Sequence, residues 1–516
     1  MDVWTVEKSL NRIDESTSAD SIKMKGWRKD EGSVNGDGRK RSVHTQTESD
    51  RRNADNCRQI FNRRKWSEFG TVTTLHGMRY ITQPNHSFTR KVIWAIILLS
   101  FMGVLIFVVI DNTVRYFNYN VTSIVTVKYV NDLTFPAVTI CNYNLLRKSY
   151  SEQAFDEDLL EAFKIISPGG GQNSVNFTAL KDWNITDDLI KGAHQKEDMI
   201  IECTWRSTRN CTADNFTQVL TDFGVCYTFN NPKDPNDALT VQQTGYDSGL
   251  YLRLNLEQYD YFYGSSKGAG FKIMLHKQGE FPFVKQLGFA VSPGFETLVT
   301  LKFTQLVNLE TPYVSECVVA EDIQGFKYTV ETCQALCKTK YILEGCGCRT
   351  TDLPAGPDIS KVRFCSYGEI VQCVQPAMRK WAFMADLDAR CNCSVPCFRE
   401  VFTPRISEVF WPAEHITKAL QDAFNSSESF LRKNIIDMVI FFEELNYEEI
   451  RQIAAYTFTD LLSDIGGYMG LMVGASLITF LEFIDFLVLG AIEYCQKHNM
   501  FKRRGKINIS QSHLHR

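Results

Sequence analysis

Three carboxylates stand in a stretch otherwise apolar enough to cross a membrane. The segment "LLSDIGGYMGLMVGASLITFLEFIDF", residues 461–486, carries Asp464, Glu482 and Asp485. An acid at membrane depth is costly unless it faces water or an ion. Read as one continuous helix, the segment puts Asp464 and Glu482 about five turns apart and on one face, with Asp485 on the adjoining edge. Acids near both ends of one stripe suit a cation path lined by several copies of the segment. The plain alternative is that each acid reaches the headgroup layer. Gly466, Gly470 and Gly474 recur every four residues and make a small-xxx-small face on which helices can approach closely. Gly474-Ala475-Ser476 could bare backbone carbonyls, which membrane depth tolerates where they line a wet cavity and which can select ions there. The chemistry that these residues suit is cation permeation. The chain has no H-E-x-x-H and no phosphate-cradling glycine loop, so no enzyme is expected. No metal site and no cofactor are expected either, beyond permeant sodium and calcium blocking at the pore.

Two segments must hold this chemistry in a membrane. Val92–Ile110 runs without a charge for a length that spans a bilayer, and Ile465–Leu481 does so if the flanking acids are tolerated. Mean hydropathy over the whole chain is close to neutral, which excludes a many-span transporter. Residues 1–91 hold 18 Lys/Arg against 12 Asp/Glu, and residues 493–516 hold 6 against 1. The net charge is −4, so the part between is acidic. Basic clusters beside both spans place both termini in the cytosol. No signal peptide is apparent, so the first span is expected to serve as an uncleaved anchor.

The part between the spans reads as extracellular. Of 16 cysteines, 14 fall between Cys141 and Cys397. Seven glycosylation sequons share this part, at Asn120, Asn176, Asn184, Asn210, Asn215, Asn392 and Asn425. Two more, at Asn85 and Asn508, fall on the cytosolic side and should stay bare. An even count beside sequons favours disulfides over zinc, although the count leaves the connectivity open. Strand-like runs are "TSIVTVKYV", "FPAVTICNYN", "GLYLRLNL", "AGFKIMLH", "QLGFAVS" and "ETLVTLKFTQLVNL", while residues 150–215 look helical and looped. The fold class is α+β: two transmembrane helices with a large, β-rich, disulfide-rich domain between them. The expected divisions are a cytosolic arm 1–90, a first helix 91–112, an extracellular domain 113–450 with a cysteine-rich lobe 317–397, a second helix and pore 451–492, and a cytosolic tail 493–516. Residues 1–60 are polar and read as a disordered arm.

The motifs "TLHG", "LTFPAVTICN", "FFEELNYEEI", "LSDIGGYMGL" and "GASLITFLEFIDF" stand beside the cysteine comb. Together they resemble the degenerin/epithelial sodium channel family, nearest its acid-sensing and FMRFamide-gated branches. The resemblance implies a trimer, of identical or homologous subunits, with a hand-like extracellular domain and a sodium-selective, amiloride-sensitive pore in the plasma membrane. It makes Gly474, Ala475 and Ser476 the selectivity filter, with Asp464 at the outer mouth and Glu482 and Asp485 on the inner part. It makes His76-Gly77 the gating dipeptide beneath the pore, and Ser463 the position where bulky residues lock family members open. It also implies the disulfides Cys141–Cys226, Cys203–Cys211, Cys317–Cys397, Cys333–Cys393, Cys337–Cys391, Cys346–Cys373 and Cys348–Cys365.

The stimulus is read from departures. Where the acid-sensing branch carries paired histidines and adjacent acids, this chain has Asn120, Val121, Thr126 and Val127. Its thumb motif becomes "CVQPAMR", with Gln375 and Arg379 in place of two aspartates, and the facing acidic loop becomes "YGSSKGAGF". Only His194, His276 and His415 lie in the extracellular part. Proton sensing needs histidines or crowded carboxylates. The expectation is therefore a ligand-gated channel opened by an extracellular neuropeptide. The alternatives are a proton-gated sodium channel and a non-conducting two-span receptor or adhesion protein. A nucleotide-gated trimer would want a cluster of phosphate-binding basic residues, which the sequence does not offer.

Overall fold

The computed structural model describes residues 68–166, 185–490 and 492, apart from 265–266, 320, 324, 352, 355–358, 384–389 and 477. The sequons at Asn176 and Asn184, the arm before residue 68 and the tail from 493 onward lie outside the described residues. Two compact units result. One holds the chain up to Leu98 and from Ile478 onward, and the other holds Leu99–Leu477.

The larger unit is built on strands. Its main sheet has eight, and the strand Phe295–Val307 is the hub. It pairs in parallel with Ile435–Phe442 and Asn446–Ala454, and antiparallel with Phe398–Phe410 along its full length. Val121–Tyr129 closes one edge on Asn446–Ala454, and Leu250–Asn255 continues the sheet on the far side of Ile435–Phe442. A second, five-stranded sheet is centred on Ala137–Asn142, Phe271–His276 and Gly224–Phe229. Period-two patterning explains Leu250–Asn255, whose leucines are buried while Tyr251, Arg253 and Asn255 are half-covered. Ile435–Phe442 is almost wholly buried, as suits a central strand that is apolar except for Asp437. The core lies between the two sheets, with Phe135, Ile140, Phe271, Leu252, Leu254 and Met438 fully enclosed.

One charge is enclosed with it. Asp437, 5% exposed, stands opposite Arg253 in the strand register. Arg253 donates Nε and Nη2 to its two oxygens at 2.7 and 2.8 Å, and the Tyr251 hydroxyl adds a third bond at 3.2 Å. A buried carboxylate persists when it is paired this completely.

The cysteine-rich lobe has far less core. Helix Val330–Cys346, N-capped by the Thr329 hydroxyl and ended at left-handed Gly347, packs small clusters around Ile342, Cys348, Cys365 and Val374. Five disulfides staple it: Cys317–Cys397, Cys333–Cys393, Cys337–Cys391, Cys346–Cys373 and Cys348–Cys365. Cys141–Cys226 and Cys203–Cys211 lie in the sheets. These seven are the pairs that the family resemblance implies.

Two expectations change. Residues 150–215 are not helix and loop throughout, because Ile200–Trp205 and Arg209–Cys211 join the main sheet. Phe398–Phe410, unmarked in the sequence reading, is one of the longest strands.

Candidate functional site

Phe88–Phe117 is one unbroken helix, and among the described residues it is the one helix long and apolar enough to cross a membrane. Only Leu105 and Asn112 are buried along it, so its apolar side chains are left for a non-aqueous neighbour. The second apolar segment is different. Its helix Phe458–Val473 starts at a capping box, in which Thr457 and Asp460 satisfy each other's backbone amides, and it stops at Gly474. Gly474 takes a left-handed φ of 65°, its N–H donates to the Gly470 carbonyl, and that of Ala475 donates to the Met469 carbonyl. This is a helix-ending turn that glycine adopts without strain. Ala475 and Ser476 are non-helical, and helix resumes over Ile478–Gly490. The irregular backbone that Gly474-Ala475-Ser476 could supply is thus present, and the alignment of Asp464 with Glu482, which holds only for one continuous helix, does not apply.

Each expected site residue then has its own setting. Asp464 accepts a 2.6 Å bond from the Tyr456 hydroxyl, and the Arg115 guanidinium lies over that tyrosine ring. Ser463 is exposed. Gly466, Gly467 and Gly470 are exposed as well, and a Cβ at any of them would meet nothing within 4 Å. Asp485 is exposed, whereas Glu482 is engaged by the segment before the first helix. Its Oε2 accepts from the Thr74 amide at 3.2 Å, the Thr73 hydroxyl at 3.3 Å and the Thr74 hydroxyl at 3.4 Å. Phe69 packs at a tilt against Phe486 and edge-on against Phe483, with centroids 4.5 and 5.9 Å apart. His76 is exposed, and Gly77 has φ 88° at the start of helix Met78–Thr82. A Cβ there would make only ordinary contacts with Trp94 and Leu98, so conformation rather than space calls for glycine. Tyr80 stacks on Trp94 at 4.5 Å and anchors the turn to the first helix. Sequence reasoning found His76, Gly77 and Glu482 separately, gave no role to Thr74 although it opens the "TLHG" motif, and missed Thr73 and Phe69, which carry no local signal.

The family profile described as "Amiloride-sensitive sodium channel" matches residues 69–486. The chain belongs to the amiloride-sensitive sodium channel family. Acid-sensing ion channel 1C of Danio rerio is 35% identical over 447 residues, covering 81% of this chain and 82% of that protein. Acid-sensing ion channel 2 of Homo sapiens is 33% identical over 448 residues, covering 81% and 85%. Acid-sensing ion channel 1 of Gallus gallus is 32% identical over 473 residues, covering 85% of each.

Within this sodium channel family, the titratable groups of the strand-built unit bear on the stimulus. On the edge strand Val121–Tyr129, Thr126 and Val127 stand opposite Glu449 and Glu448. No acid cluster forms there, because cations take up both glutamates. Glu449 is bonded by Lys128 and, at 2.8 Å, by Arg451, and Glu448 pairs with Lys302 at 2.6 Å. The hydrogen bond from Arg451, followed by that from Lys128, holds the Glu449 carboxyl down at about 2. His276 is enclosed: Nδ1 faces the Lys277 carbonyl at 3.0 Å and Nε2 the Thr139 hydroxyl at 2.8 Å, and burial lowers it to about 4. His194 is enclosed too. Asn144 has its amide fixed by two bonds to the Phe262 backbone, so its Oδ1 accepts from His194 Nε2, while Nδ1 faces Glu257 at 2.9 Å. His415, Gln375 and Arg379 are exposed.

One acid goes the other way. Glu280 lines a cavity of about 200 Å³ with Lys277, Asp322, Lys327, Arg399 and Glu400. Burial pushes its carboxyl up to about 7, against the Lys277 amide bond and the charges of Arg399 and Lys277. The nearby cations are committed elsewhere, Lys277 to Glu400 at 2.5 Å and Arg399 to Glu331 at 3.1 Å. Asn120, Asn210, Asn215, Asn392 and Asn425 are all exposed, as glycan acceptors must be.

Proposed function

We propose that this protein is a subunit of a sodium-selective, amiloride-sensitive channel of the plasma membrane, opened by an extracellular peptide. Two further copies or homologous subunits complete it. The observation that carries the reading is the helix break at Gly474-Ala475-Ser476, set in an apolar segment that also holds Asp464, Glu482 and Asp485. Non-helical backbone at membrane depth is stable where it lines a wet path, and three copies around an axis would supply a ring of carbonyls there. The open glycine stripe of Gly466 and Gly470 would let such copies approach. Both termini then lie in the cytosol, residues 113–450 outside, and the five exposed sequons carry glycans. His76-Gly77 and Ser463 act in gating.

The peptide reading rests on Glu449, which Arg451 and Lys128 hold far below neutrality, and on His276, which burial lowers to about 4, so that neither is switched by mild acid. A second reading is direct acid gating. The relatives named above are called acid-sensing, and Glu280 titrates near neutrality. Expression in oocytes separates the two: amidated peptides of the RFamide type should evoke amiloride-blocked sodium current, and pH steps from about 8 to 4 alone should not. Large currents from protons alone would overturn the peptide reading, and no amiloride-blocked sodium current with any stimulus or partner subunit would overturn the channel.

A further inference from the structure

Two of the seven sequons between the spans hold a cysteine at their middle position: Asn210-Cys211-Thr212 and Asn392-Cys393-Ser394. The other five carry Val121, Phe177, Ile185, Phe216 and Ser426 there. Both middle cysteines are bonded, Cys211 to Cys203 and Cys393 to Cys333. In each case the bonded partner stands earlier in the chain, by 8 and by 60 residues, so it is already made when the sequon follows.

The geometry sets an order between the two modifications. Where Ile200–Trp205 pairs with Arg209–Cys211, Cys203 stands opposite Cys211 and Thr204 opposite Asn210. Neighbouring side chains leave a strand on opposite faces, so exposed Asn210 points away from the bridge. A glycan on Asn210 leaves Cys211 free to pair. The converse fails. Transfer needs a free stretch of chain, in which the asparagine amide and the hydroxyl two residues on reach one active site together. Once the bridge closes, the middle side chain carries a second strand into that site. The following turn also fixes the end of the sequon, since the Thr212 N–H donates to Asn215 Oδ1 at 2.9 Å. At the other sequon the middle side chain carries a helix. Cys391 and Cys393 are held by Cys337 and Cys333 of Val330–Cys346, and between them exposed Asn392 takes a left-handed φ of 47°. The Ser394 carbonyl accepts from the Tyr328 hydroxyl at 2.7 Å.

We propose that Asn210 and Asn392 accept glycans only before Cys211 and Cys393 are oxidised, so that the redox state met during synthesis sets whether the finished subunit bears glycans there. In the transfer, asparagine Nδ2 bonds to the anomeric carbon of a lipid-linked oligosaccharide diphosphate. That carbon's bond to the diphosphate oxygen breaks, and the amide proton goes to the leaving diphosphate. In the oxidation, two thiols lose two protons and two electrons to the disulfide of a thiol oxidoreductase, which becomes a dithiol. Closing 8 residues is about twentyfold more probable than closing 60, so Asn210 loses the race more often than Asn392. The inference rests on residues 113–450 lying outside the cytosol.

Full-length chain translated with microsomes tests it, in dithiothreitol and in oxidised glutathione. Occupancy is read site by site as the heavy-oxygen-labelled aspartate that enzymatic glycan removal leaves. Asn210 should be at least about twice as occupied in reductant, and Asn392 should change less. Asn120, Asn215 and Asn425, whose sequons lack cysteine, should not change. Under oxidant, Cys203→Ser should raise Asn210 alone, and Cys333→Ser with Cys337→Ser should raise Asn392 alone. Transfer precedes folding, so neither variant has to fold to be read. In wild-type chain the glycan on Asn210 should be found on peptides that also hold the Cys203–Cys211 bridge. Occupancy at both sites that ignores redox and both variants would overturn the proposal, as would glycan at Asn210 confined to chains without the bridge. Glycans missing from Asn120, Asn215 and Asn425 in every condition would instead overturn the extracellular placement.

Discussion

Glu449 and Glu280 belong to the same strand-built unit and are handled in opposite ways. Glu449 sits on a strand near the sheet edge between Lys128 and Arg451, and its carboxyl is held at about 2. Glu280 sits in the turn after Phe271–His276, facing a cavity whose cations already have partners, and its carboxyl rises to about 7. The difference is not one of local acidity, since both have lysine and arginine nearby. It lies in whether a cation is bonded to the carboxylate itself or spent on another acid. A pH step between 8 and 5 passes over the first region and acts on the second.

A third carboxylate sharpens the contrast. Asp437 is enclosed as deeply as any acid in the unit, yet it is bonded as Glu449 is, through the Arg253 fork. Arg253→Met should strand it as a buried charge without its cation. The expected cost is about 3–5 kcal/mol, read as loss of surface expression and of melting temperature in the purified chain. Adding Asp437→Leu should recover most of that loss, because an apolar pair replaces an ionic one at little cost. If Arg253→Met alone were neutral, direct bonding by a cation would not be what separates the two regions.

Glu280 carries the next effect. A carboxyl raised in the folded state favours folding fully below its ordinary value near 4.5, and this is lost as pH rises through about 7. The penalty above neutrality is on the order of 3 kcal/mol. Wild-type chain should therefore melt progressively lower between about pH 4.5 and 7, and Glu280→Gln should flatten that slope. The same variant bears on acid gating. If proton-evoked current exists and Glu280→Gln shifts its midpoint, the cavity takes part in sensing. A slope that survives the substitution would return Glu280 to an ordinary surface acid.

Much of the scaffold behind this contrast was legible in the chain. The alternation in "GLYLRLNL" marks Leu250–Asn255, because side-chain burial in a half-covered strand follows a period of two, whereas Ile435–Phe442 was not among the expected strands, because Asp437 interrupts its apolar side chains. Phe398–Phe410 escaped notice because Pro404 and its charges argue against a strand interior. It is allowed because its ladder runs along one neighbour, Phe295–Val307. Gly474 marked an irregularity in the second apolar segment, but the alignment of its acids assumed a helix that Gly474 itself ends. Thr126 and Val127 told that an acid pair was missing. That Lys128 and Arg451 occupy Glu449 instead follows from strand register between residues more than 300 apart, which spacing cannot supply. The Thr74–Glu482 contact, 408 residues apart in sequence, was unreadable for the same reason.

The smallest effect is expected from Glu449 itself, and it tests the other arm of the comparison. A depressed carboxyl contributes stability above its ordinary value, and loses it as pH falls from there toward about 2. Lys128→Met with Arg451→Met removes the bonds that depress it. The exposed flanks of Lys128 and Arg451 limit what such pairs are worth, so the melting temperature should drop only slightly. The informative quantity is where that drop depends on pH. It should stay constant from pH 8 to about 5 and shrink only below about 4.5, where protonation begins to release the pairs in the wild type. A drop that faded between pH 7 and 5 would mean that Glu449 already titrates near neutrality. The sheet edge would then respond to mild acid as the cavity does, and the paired glutamates would no longer weigh against proton gating.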